Sequence, residues 1–324
     1  MTSSGSRGHR SHPSVAELVS SARELRTAAV ARLVSLVEGN SPQLRAVAAA
    51  LAPYAGRAQV VGVTGSPGVG KSTTISALTR AIRQQDRTVG VLSVDPSSPY
   101  TSGALLGDRI RMLEHSTDKG VFVRSLASRG RLGGLSAAVP QALRVLDASG
   151  FDVVLVETVG AGQAELEIAS LADSTLVVLA PGAGDDVQAA KAGILEIADV
   201  LVVNKSDREG SASVVRDLRR MQSYRAAPDG SWATPVVQTV AAHGGGIDEL
   251  LAAADGHFAW LRSSGGLAGR RRRRAAVEVE AIVIDRILAQ LATQAKSTAL
   301  DEMAEIVACG EIDPYSAADR LFPL

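Results

Sequence analysis

The chain has 324 residues, of which 46% are apolar and 21% charged, and its 34 basic and 34 acidic side chains give a formal net charge of zero. This length suits one large α/β core with appended helices, and the balanced charge disfavours a protein that binds polyanions with its whole surface. The single cysteine, Cys309, excludes an internal disulfide and a metal cage built from cysteines.

The sequence predicts neither a membrane-spanning helix nor an export signal. No apolar run reaches the roughly 18 residues that a bilayer-spanning helix needs. The first 14 residues are polar and lack the apolar segment of a signal peptide. We therefore expect a soluble, cytoplasmic protein with no membrane partner.

The N-terminal region is predicted to be helical after a disordered tail. Residues 1–14 are rich in Ser, Gly, Arg and His, which is typical of disorder. Apolar residues recur at helical spacing over Val15–Val37 and predict one helix. Ser41–Pro42 predicts the start of a second, short helix that ends near Leu51. Residues 15–55 are thus expected to form a helical hairpin on the flank of the core.

Residues 56–262 contain strand-like apolar runs that alternate with helical patterns. Buried strands with little polar alternation, separated by helices, indicate a parallel sheet with both faces covered. We predict an α/β fold in which helices cover a mostly parallel central sheet of about seven strands. The predicted strands are Val60–Thr64, Val89–Val94, Val121–Leu126, Val153–Val156, Leu176–Leu179, Val200–Val203 and Val236–Val240.

A glycine-rich loop follows the first predicted strand and opens a helical pattern. It matches G-x-x-x-x-G-K-[ST] at every specified position. In this motif backbone N–H groups surround phosphate oxygens, the lysine bridges the β- and γ-phosphates, and the hydroxyl ligates Mg²⁺. The alternative is a strand–helix turn without a ligand. The residues predicted to bind a nucleotide here are Gly65, Ser66, Pro67, Gly68, Val69, Gly70, Lys71, Ser72 and Thr73.

Three acidic residues are candidates for the metal side of this site. Glu157 ends a buried strand, where an acid beside a phosphate loop holds Mg²⁺ or its water shell. Its longer side chain could reach either a metal-bound water or the attacking water. Asp95 closes the second strand and Asp108 lies further along, and either could instead cap a helix. Gly160 could offer its N–H to a γ-phosphate, so that hydrolysis would release this loop.

The sequence Asn204-Lys205-Ser206-Asp207 directly follows the sixth predicted strand. In N-K-x-D the aspartate accepts hydrogen bonds from guanine N1–H and the 2-amino group. Adenine would leave that carboxylate unpaired, at a cost of about 1–3 kcal/mol. Lys205 can lie along the base and Asn204 can tie the loop to the phosphate loop, so we predict GTP or GDP as the ligand. Val240, Ala241 and Ala242 are predicted to contact guanine through backbone N–H groups, without the usual serine hydroxyl.

A glycine-hinged segment, Pro181–Gly184, precedes Asp185 and a helical pattern that carries Lys191. Acidic and basic groups on such a segment can exchange partners when the charge of a bound phosphate changes. We therefore predict a switch here. The alternative is a solvated loop followed by an exposed lysine.

Residues 263–324 are predicted to be a helical extension. A flexible break precedes one helix over 270–294 and a shorter one over 298–308, and a proline-containing tail follows. The apolar stripe of the long helix needs a partner surface, for which a second subunit is a candidate. Arg270–Arg274 lacks interleaved aromatic residues, so we expect no nucleic-acid partner but a solvated helix start or an acidic protein contact.

The chain resembles the MeaB/ArgK group of P-loop GTPases, of the SIMIBI class, which are chaperones of adenosylcobalamin-dependent methylmalonyl-CoA mutase. The resemblance extends from about Leu18 to the C-terminus and makes residues 56–262 the GTPase domain. It rests on the blocks GSPGVGKST, VDPSSP, GDRIRM, SRGRLGGL, VETVGAGQAE, PGAGDDVQAAKAGILEIAD and NKSD. It implies catalytic roles for Lys71, Asp95, Asp108 and Glu157, metal ligation by Ser72 with the three acids, and coupling to the mutase by Asp185 and Lys191.

The same resemblance implies a homodimer docked through the C-terminal helices. It further implies a weak GTPase that the mutase stimulates, and hydrolysis that gates cofactor loading and ejects damaged cofactor. An ArgK-like kinase linked to amino-acid transport and a non-hydrolysing GTP sensor are the alternatives. The five histidines show no metal-ligand spacing and no Asp-x-His-x-x-Gly motif occurs, so cobalamin is expected to be held by the partner.

Overall fold

The computed structural model describes residues 13–39, 41–95, 115, 117–127, 138–158, 164–182, 195–224, 230–294 and 297–321. The described strands are β1 (Gln59–Thr64), β2 (Val89–Asp95), β3 (Val121–Ala127), β4 (Val153–Thr158), β5 (Ser174–Leu179), β6 (Val200–Val203) and β7 (Val236–Gln238). They form one sheet in the order β3-β2-β4-β1-β5-β6-β7, and every neighbouring pair is parallel. The predicted α/β fold with seven parallel strands is confirmed.

The last strand is shorter than the sequence suggested. It was expected to reach Val240, but it ends at Gln238. The reason is that Val240 pairs with Gly245 in an isolated antiparallel bridge, which turns the chain away from β6. The turn places the segment after β7 over the carboxyl edge of the sheet.

Helices precede, connect and follow the strands within the described residues. They are α1 (Val15–Arg23), α2 (Thr27–Glu38), α3 (Leu44–Leu51), α4 (Lys71–Gln84), α5 (Ala138–Ser149), α6 (Ala164–Leu171), a single turn (Leu195–Ile197), α7 (Ser211–Ser223), α8 (Ile247–Ser263), α9 (Gly266–Gln294), α10 (Ser297–Ala308) and α11 (Pro314–Leu321). Helices α4 and α8 pack on one face, where Ile75 and Leu250 join the apolar side chains of the strands. None of the described helices combines the length and apolar character that a bilayer crossing requires.

The first predicted helix is divided in two, which corrects the expected hairpin. Helix α1 ends in a Schellman arrangement, in which Leu25 N–H donates to Ala22 O at 2.8 Å and Arg26 N–H to Ser21 O at 3.2 Å. Leu25 occupies the left-handed position with φ +55°. Glycine usually takes this position, so apolar periodicity alone predicts a continuous helix. Burial of the Leu25 side chain against the core offsets the backbone cost of about 1–2 kcal/mol.

The start of α3 and the C-terminal tail also differ from the sequence-based prediction. Helix α3 begins at Leu44 because Ser41–Gln43 forms a turn, in which Ser41 Oγ accepts the N–H of Gln43 at 3.2 Å. The proline-containing tail is helix α11, with Pro314 at its first position. Asp313 caps that helix by accepting two backbone N–H groups, so its pKa is held below the usual range, chiefly by its hydrogen bonds with Ser316.

The chain divides into two compact units, Met1–Arg274 and Ala275–Leu324. The first unit contains the sheet and the helices around it. In the second unit, α10 and α11 pack against each other. The domain boundary at residue 262 stays a sequence-based prediction.

The arginine run at the start of α9 binds the amino edge of the sheet, which corrects the expectation of a solvated helix start. Arg270 forms two hydrogen bonds to Asp199, and Arg271 and Arg274 lie 3.2 and 3.5 Å from the carboxylate of Asp173. Asp173 and Asp199 are buried residues that directly precede β5 and β6. We refer to these five side chains as the amino-edge network.

His257 of α8 lies beside this network and is fully buried. Its Nδ1 is 2.8 Å from Ser174 Oγ, and its Nε2 is 3.2 Å from a carboxylate oxygen of Asp199. The rings of Trp232 and Trp260 flank the imidazole at centroid distances of 5.0 and 5.8 Å. The histidine is thus buried among two aromatic rings, a hydroxyl and a carboxylate.

The buried imidazole predicts an acid-sensitive stability. Burial lowers the pKa of His257 from 6.5 to about 4, and Arg270 adds to the lowering while Asp199 and Asp173 oppose it. As the pH falls, the imidazole of the unfolded chain therefore binds a proton before that of the folded chain, which favours unfolding. The contribution of the neutral, buried imidazole to the unfolding free energy is complete above pH 6.5 and is lost as the pH falls toward 4. Urea unfolding should show that His257→Asn reduces the loss of stability between pH 7 and pH 5 by about 2 kcal/mol.

The control is His243→Asn, since His243 is an exposed histidine of the same unit. The pH dependence of the unfolding free energy should change more in His257→Asn than in this control. An identical pH dependence in the wild type and His257→Asn would contradict the assignment.

Candidate nucleotide-binding site

The carboxyl ends of β1, β4, β5 and β6 meet at one edge of the sheet, with β1 at the centre. The loop after β1 passes close over β5. A Cβ on Gly65 would lie only 2.1 Å from Val178 O, and the φ of Gly65 is +138°. Only glycine fits this backbone path. The loop then enters α4 through Gly70, whose φ is +99°.

Lys71 and Ser72 open α4 and are both buried. Lys71 Nζ donates to Gly65 O at 2.5 Å and to Ser66 O at 3.0 Å, so the ammonium spans the glycine-rich loop. The positive end of the helix dipole lies at the same place. The loop therefore presents backbone N–H groups, an ammonium and a helix N-terminus, the combination that binds phosphate.

Glu157 comes to this loop from the neighbouring strand. It is paired in register with Val63 of β1, and its side chain is only 2% exposed. Ser72 Oγ donates to Glu157 Oε1 at 2.7 Å. Paired oxygen donors of this type are what Mg²⁺ prefers. No group of three or more His, Cys, Asp or Glu suited to a metal occurs among the described residues.

Asn204 connects the loop after β6 to two other loops. Its Nδ2 donates to Val69 O of the phosphate loop at 2.8 Å. Its Oδ1 accepts hydrogen bonds from Thr239 Oγ1 and from the N–H of Ala241, each at 3.1 Å. Since Asn204 is 3% exposed, these bonds are shielded from water. One amide thus holds the phosphate loop, the N-K-x-D loop and the loop after β7 in a fixed arrangement.

The remaining N-K-x-D side chains lie nearer the surface. Lys205 has φ +56°, and its Nζ donates to Gly68 O at 2.6 Å. Asp207 is exposed, and within the described part of the chain its carboxylate makes no hydrogen bond. Lys205 therefore spans the space between the two loops, and Asp207 can accept hydrogen bonds from a ligand.

The loop after β7 contains Val240, Ala241 and Ala242. The N–H of Ala241 is occupied by Asn204, while Ala242 is exposed in a short 3-10 turn. The side chain of Val240 is apolar, and its N–H donates to Gly245 O at 2.8 Å. The N–H groups of Val240 and Ala241, which were predicted to contact guanine, are therefore occupied within the protein, and Ala242 is left to offer its backbone to a base.

The structure brings together the phosphate-loop residues, Glu157, and the N-K-x-D residues Asn204 and Lys205. Asp95 is the last residue of β2. The predicted residues Asp108, Gly160, Asp185 and Lys191 lie outside the described residues.

Thr239, fully buried, is a site residue that sequence analysis missed. A hydroxyl at the end of an apolar run is the signal that could have indicated it.

The contact between Gly70 and Asn204 can be tested with a matched pair of variants. A Cβ on Gly70 would lie 2.4 Å from Asn204 Nδ2, whereas a Cβ on Gly68 would meet nothing within 4 Å. Both glycines have positive φ, so alanine costs a similar amount of backbone energy, about 1–2 kcal/mol, at each. Calorimetry should show GDP binding at least about 10-fold weaker for Gly70→Ala than for Gly68→Ala. Equal affinities would show that the hydrogen bond from Asn204 to the phosphate loop does not determine the affinity for GDP.

The chain is similar to several known proteins. The family described as Methylmalonyl Co-A mutase-associated GTPase MeaB matches residues 30–296. A Pyrococcus abyssi protein that is provisionally named a GTPase is 45% identical over 90% of this chain and 91% of its own length. The GTPase ArgK of Escherichia coli is 35% identical over 80% of this chain and 81% of its own length.

Two further similarities extend this finding. The mouse protein named methylmalonic aciduria type A homolog, mitochondrial, is 33% identical over 81% of this chain and 64% of its own length. The crystal structure of a LAO/AO transport system kinase is 26% identical and has a TM-score of 0.69, covering 95% of this chain and 96% of that one.

Proposed function

This chain belongs to the MeaB family of P-loop GTPases, and we propose that its GTP hydrolysis gates the loading of cobalamin into methylmalonyl-CoA mutase. The name of the family supports the mutase as the partner. In this proposal hydrolysis resets a conformational switch and makes no metabolite. The partner holds the cobalamin, and the GTPase controls when it enters or leaves.

The observation that carries the nucleotide part of the proposal is the bridge made by Asn204. Its bonds to Val69 and Ala241 hold the phosphate loop and the base-binding loops together. A triphosphate and a guanine base can therefore be recognised by one rigid set of contacts. Asp207, which is exposed, selects guanine because its carboxylate accepts hydrogen bonds that adenine cannot donate.

We assign the hydrolytic step to three buried side chains. Lys71 stabilises the negative charge that develops on the phosphate oxygens in the transition state. Ser72 and Glu157, joined at 2.7 Å, would hold Mg²⁺ or its water shell. A bound Mg²⁺ would supply charge neutralisation to the phosphate oxygens. We assign Glu157 to the metal side of the site, and the hydrogen bond that it accepts from Ser72 Oγ supports this assignment.

Asp185 and Lys191 are assigned to a switch that transmits the nucleotide state to the mutase. We assign the helices of residues 263–324 to a homodimer contact. Apolar side chains on α9 support that contact, since Val279 and Val283 are 61% and 47% exposed and Ile287 is 43% exposed. Several exposed apolar side chains on one helix are typical of a protein interaction surface.

The test is phosphate release from GTP and from ATP, each with and without purified methylmalonyl-CoA mutase. The proposal predicts slow hydrolysis of GTP alone, faster hydrolysis with the mutase, and little hydrolysis of ATP. Transfer of phosphate from ATP to a protein would instead support a kinase. Tight GTP binding without turnover, even with the mutase, would support a sensor that does not hydrolyse.

Lys191→Ala tests the switch assignment separately. This variant should reduce the mutase-stimulated rate more than the basal rate, because the side chain acts on coupling. Lys119→Ala, which removes an exposed lysine, is the matched control. Equal proportional losses in the two rates would contradict a coupling role for Lys191.

A further inference from the structure

The pair formed by Arg270 and Asp199 joins the second turn of α9 to the amino end of β6. Two parallel hydrogen bonds of 2.7 and 2.6 Å connect the guanidinium to the carboxylate. The carboxylate also accepts the N–H of Thr175 on β5 at 2.8 Å. Bidentate pairs between charged groups are stronger and more directional than single hydrogen bonds, so α9 is fixed to both strands at this point.

The opposite end of β6 is fixed at the nucleotide site. Strand β6 has only four residues, all buried, and Asn204 follows its last residue. Asp199 and Asn204 therefore flank one short strand, separated by about 16 Å of extended chain. Asn204 N–H also donates to Leu179 O at the end of β5. A displacement at one end of β6 must be accommodated at the other, because the strand lies between two others in a packed sheet.

Both tryptophans of the chain lie at the Asp199 end of this connection. Trp232 Nε1 donates to the carbonyl oxygen of Asp199 at 2.8 Å. Trp260 lies 6.0 Å from Trp232, between ring centroids, and both rings flank His257. The intrinsic fluorescence of the protein therefore reports the surroundings of Asp199 at the edge of the sheet opposite the phosphate loop.

We propose that Arg270 is a positioning residue for the guanine site, and that its pair with Asp199 couples nucleotide binding to helix α9 through β6. The proposal rests on the proposed function, since it concerns regulation of the same site. Helix α9 continues from this pair to Gln294. Nucleotide binding and the placement of α9 must then influence each other by the same factor.

The first test uses the wild-type protein and needs no variant. GDP with Mg²⁺ is added while tryptophan fluorescence is excited at the red edge of its absorption, where guanine does not absorb. Because both tryptophans lie at the far end of β6, the proposed coupling through β6 predicts a saturable change in their emission. Its midpoint should match the Kd that calorimetry gives for GDP.

The second test uses variants of the pair. Arg270→Gln should weaken GDP binding by about fivefold and abolish the fluorescence change. Arg270→Lys keeps the charge but loses the bidentate geometry, so it should show intermediate effects. The matched control is Arg87→Gln, since Arg87 pairs with Asp255 at 2.8 Å and the Arg87 and Arg270 side chains are 26% and 25% exposed. This control should keep both the affinity and the fluorescence change.

The outcomes separate the two proposals. If calorimetry shows that GDP binds to the wild type and the tryptophan fluorescence does not change, the proposed coupling through β6 is overturned. It is also overturned if Arg270→Gln binds GDP as tightly as the wild type does. If Arg270→Gln does not fold, Arg270→Lys and the wild-type titration still decide the matter. Absence of GDP binding by the wild type would refute the proposed function itself.

Discussion

Replacing Lys71 by alanine is expected to lower kcat for GTP hydrolysis by at least about 100-fold, because the ammonium stabilises charge that develops only in the transition state. In the structure this ammonium is buried and spans the carbonyl oxygens of Gly65 and Ser66. Alanine removes the charge and both hydrogen bonds, so GDP binding should weaken as well. Phosphate release at saturating GTP measures the effect on kcat.

Lys119→Ala controls for the loss of a lysine elsewhere, since Lys119 is exposed. It should hydrolyse GTP at the wild-type rate. Circular dichroism of Lys71→Ala should confirm that the variant is folded before its rate is interpreted. A folded Lys71→Ala protein with unchanged kcat would contradict the phosphate site.

Replacing Asp207 by asparagine is expected to weaken GDP binding by about 10- to 100-fold, because the amide cannot accept both guanine hydrogen bonds. An asparagine can still accept from N1–H with its oxygen, and its NH₂ group can donate to a carbonyl at position 2 of a purine. Xanthine carries that carbonyl. Xanthosine diphosphate should therefore bind Asp207→Asn more tightly than it binds the wild type.

Calorimetry with GDP, ADP and xanthosine diphosphate measures this change of preference. Asp217→Asn is the control, since Asp217 is an exposed acid on α7. It should bind all three nucleotides as the wild type does. An unchanged ratio of GDP to ADP affinity in Asp207→Asn would remove this residue from the base site.

The central sheet could be predicted from sequence because each strand is a short, nearly continuous apolar run. The phosphate loop could be predicted because its chemistry is local, with Gly65, Gly70 and Lys71 at fixed spacing. The contact of Asn204 with the phosphate loop was predicted from the N-K-x-D motif, and the structure has that contact at 2.8 Å. Local chemistry and parallel topology together were sufficient for these features.

Other features depend on contacts between residues that are distant in the chain, so no local pattern indicates them. Arg270 and Arg274 resemble a solvated basic run until their buried partners, Asp199 and Asp173, are known. The break at Leu25 needs a left-handed backbone that leucine rarely adopts, and burial stabilises it. In each case tertiary packing overrides the local pattern.

The arrangement of the two base-binding loops around the phosphate loop makes guanine selectivity the central claim. Titration calorimetry of the wild-type protein with GDP and with ADP, each in the presence of Mg²⁺, tests it most directly. We expect ADP to bind at least about 100-fold more weakly than GDP, because adenine cannot donate hydrogen bonds to the carboxylate of Asp207. Their loss costs about 3 kcal/mol of binding free energy. Equal affinity for the two nucleotides would contradict the account.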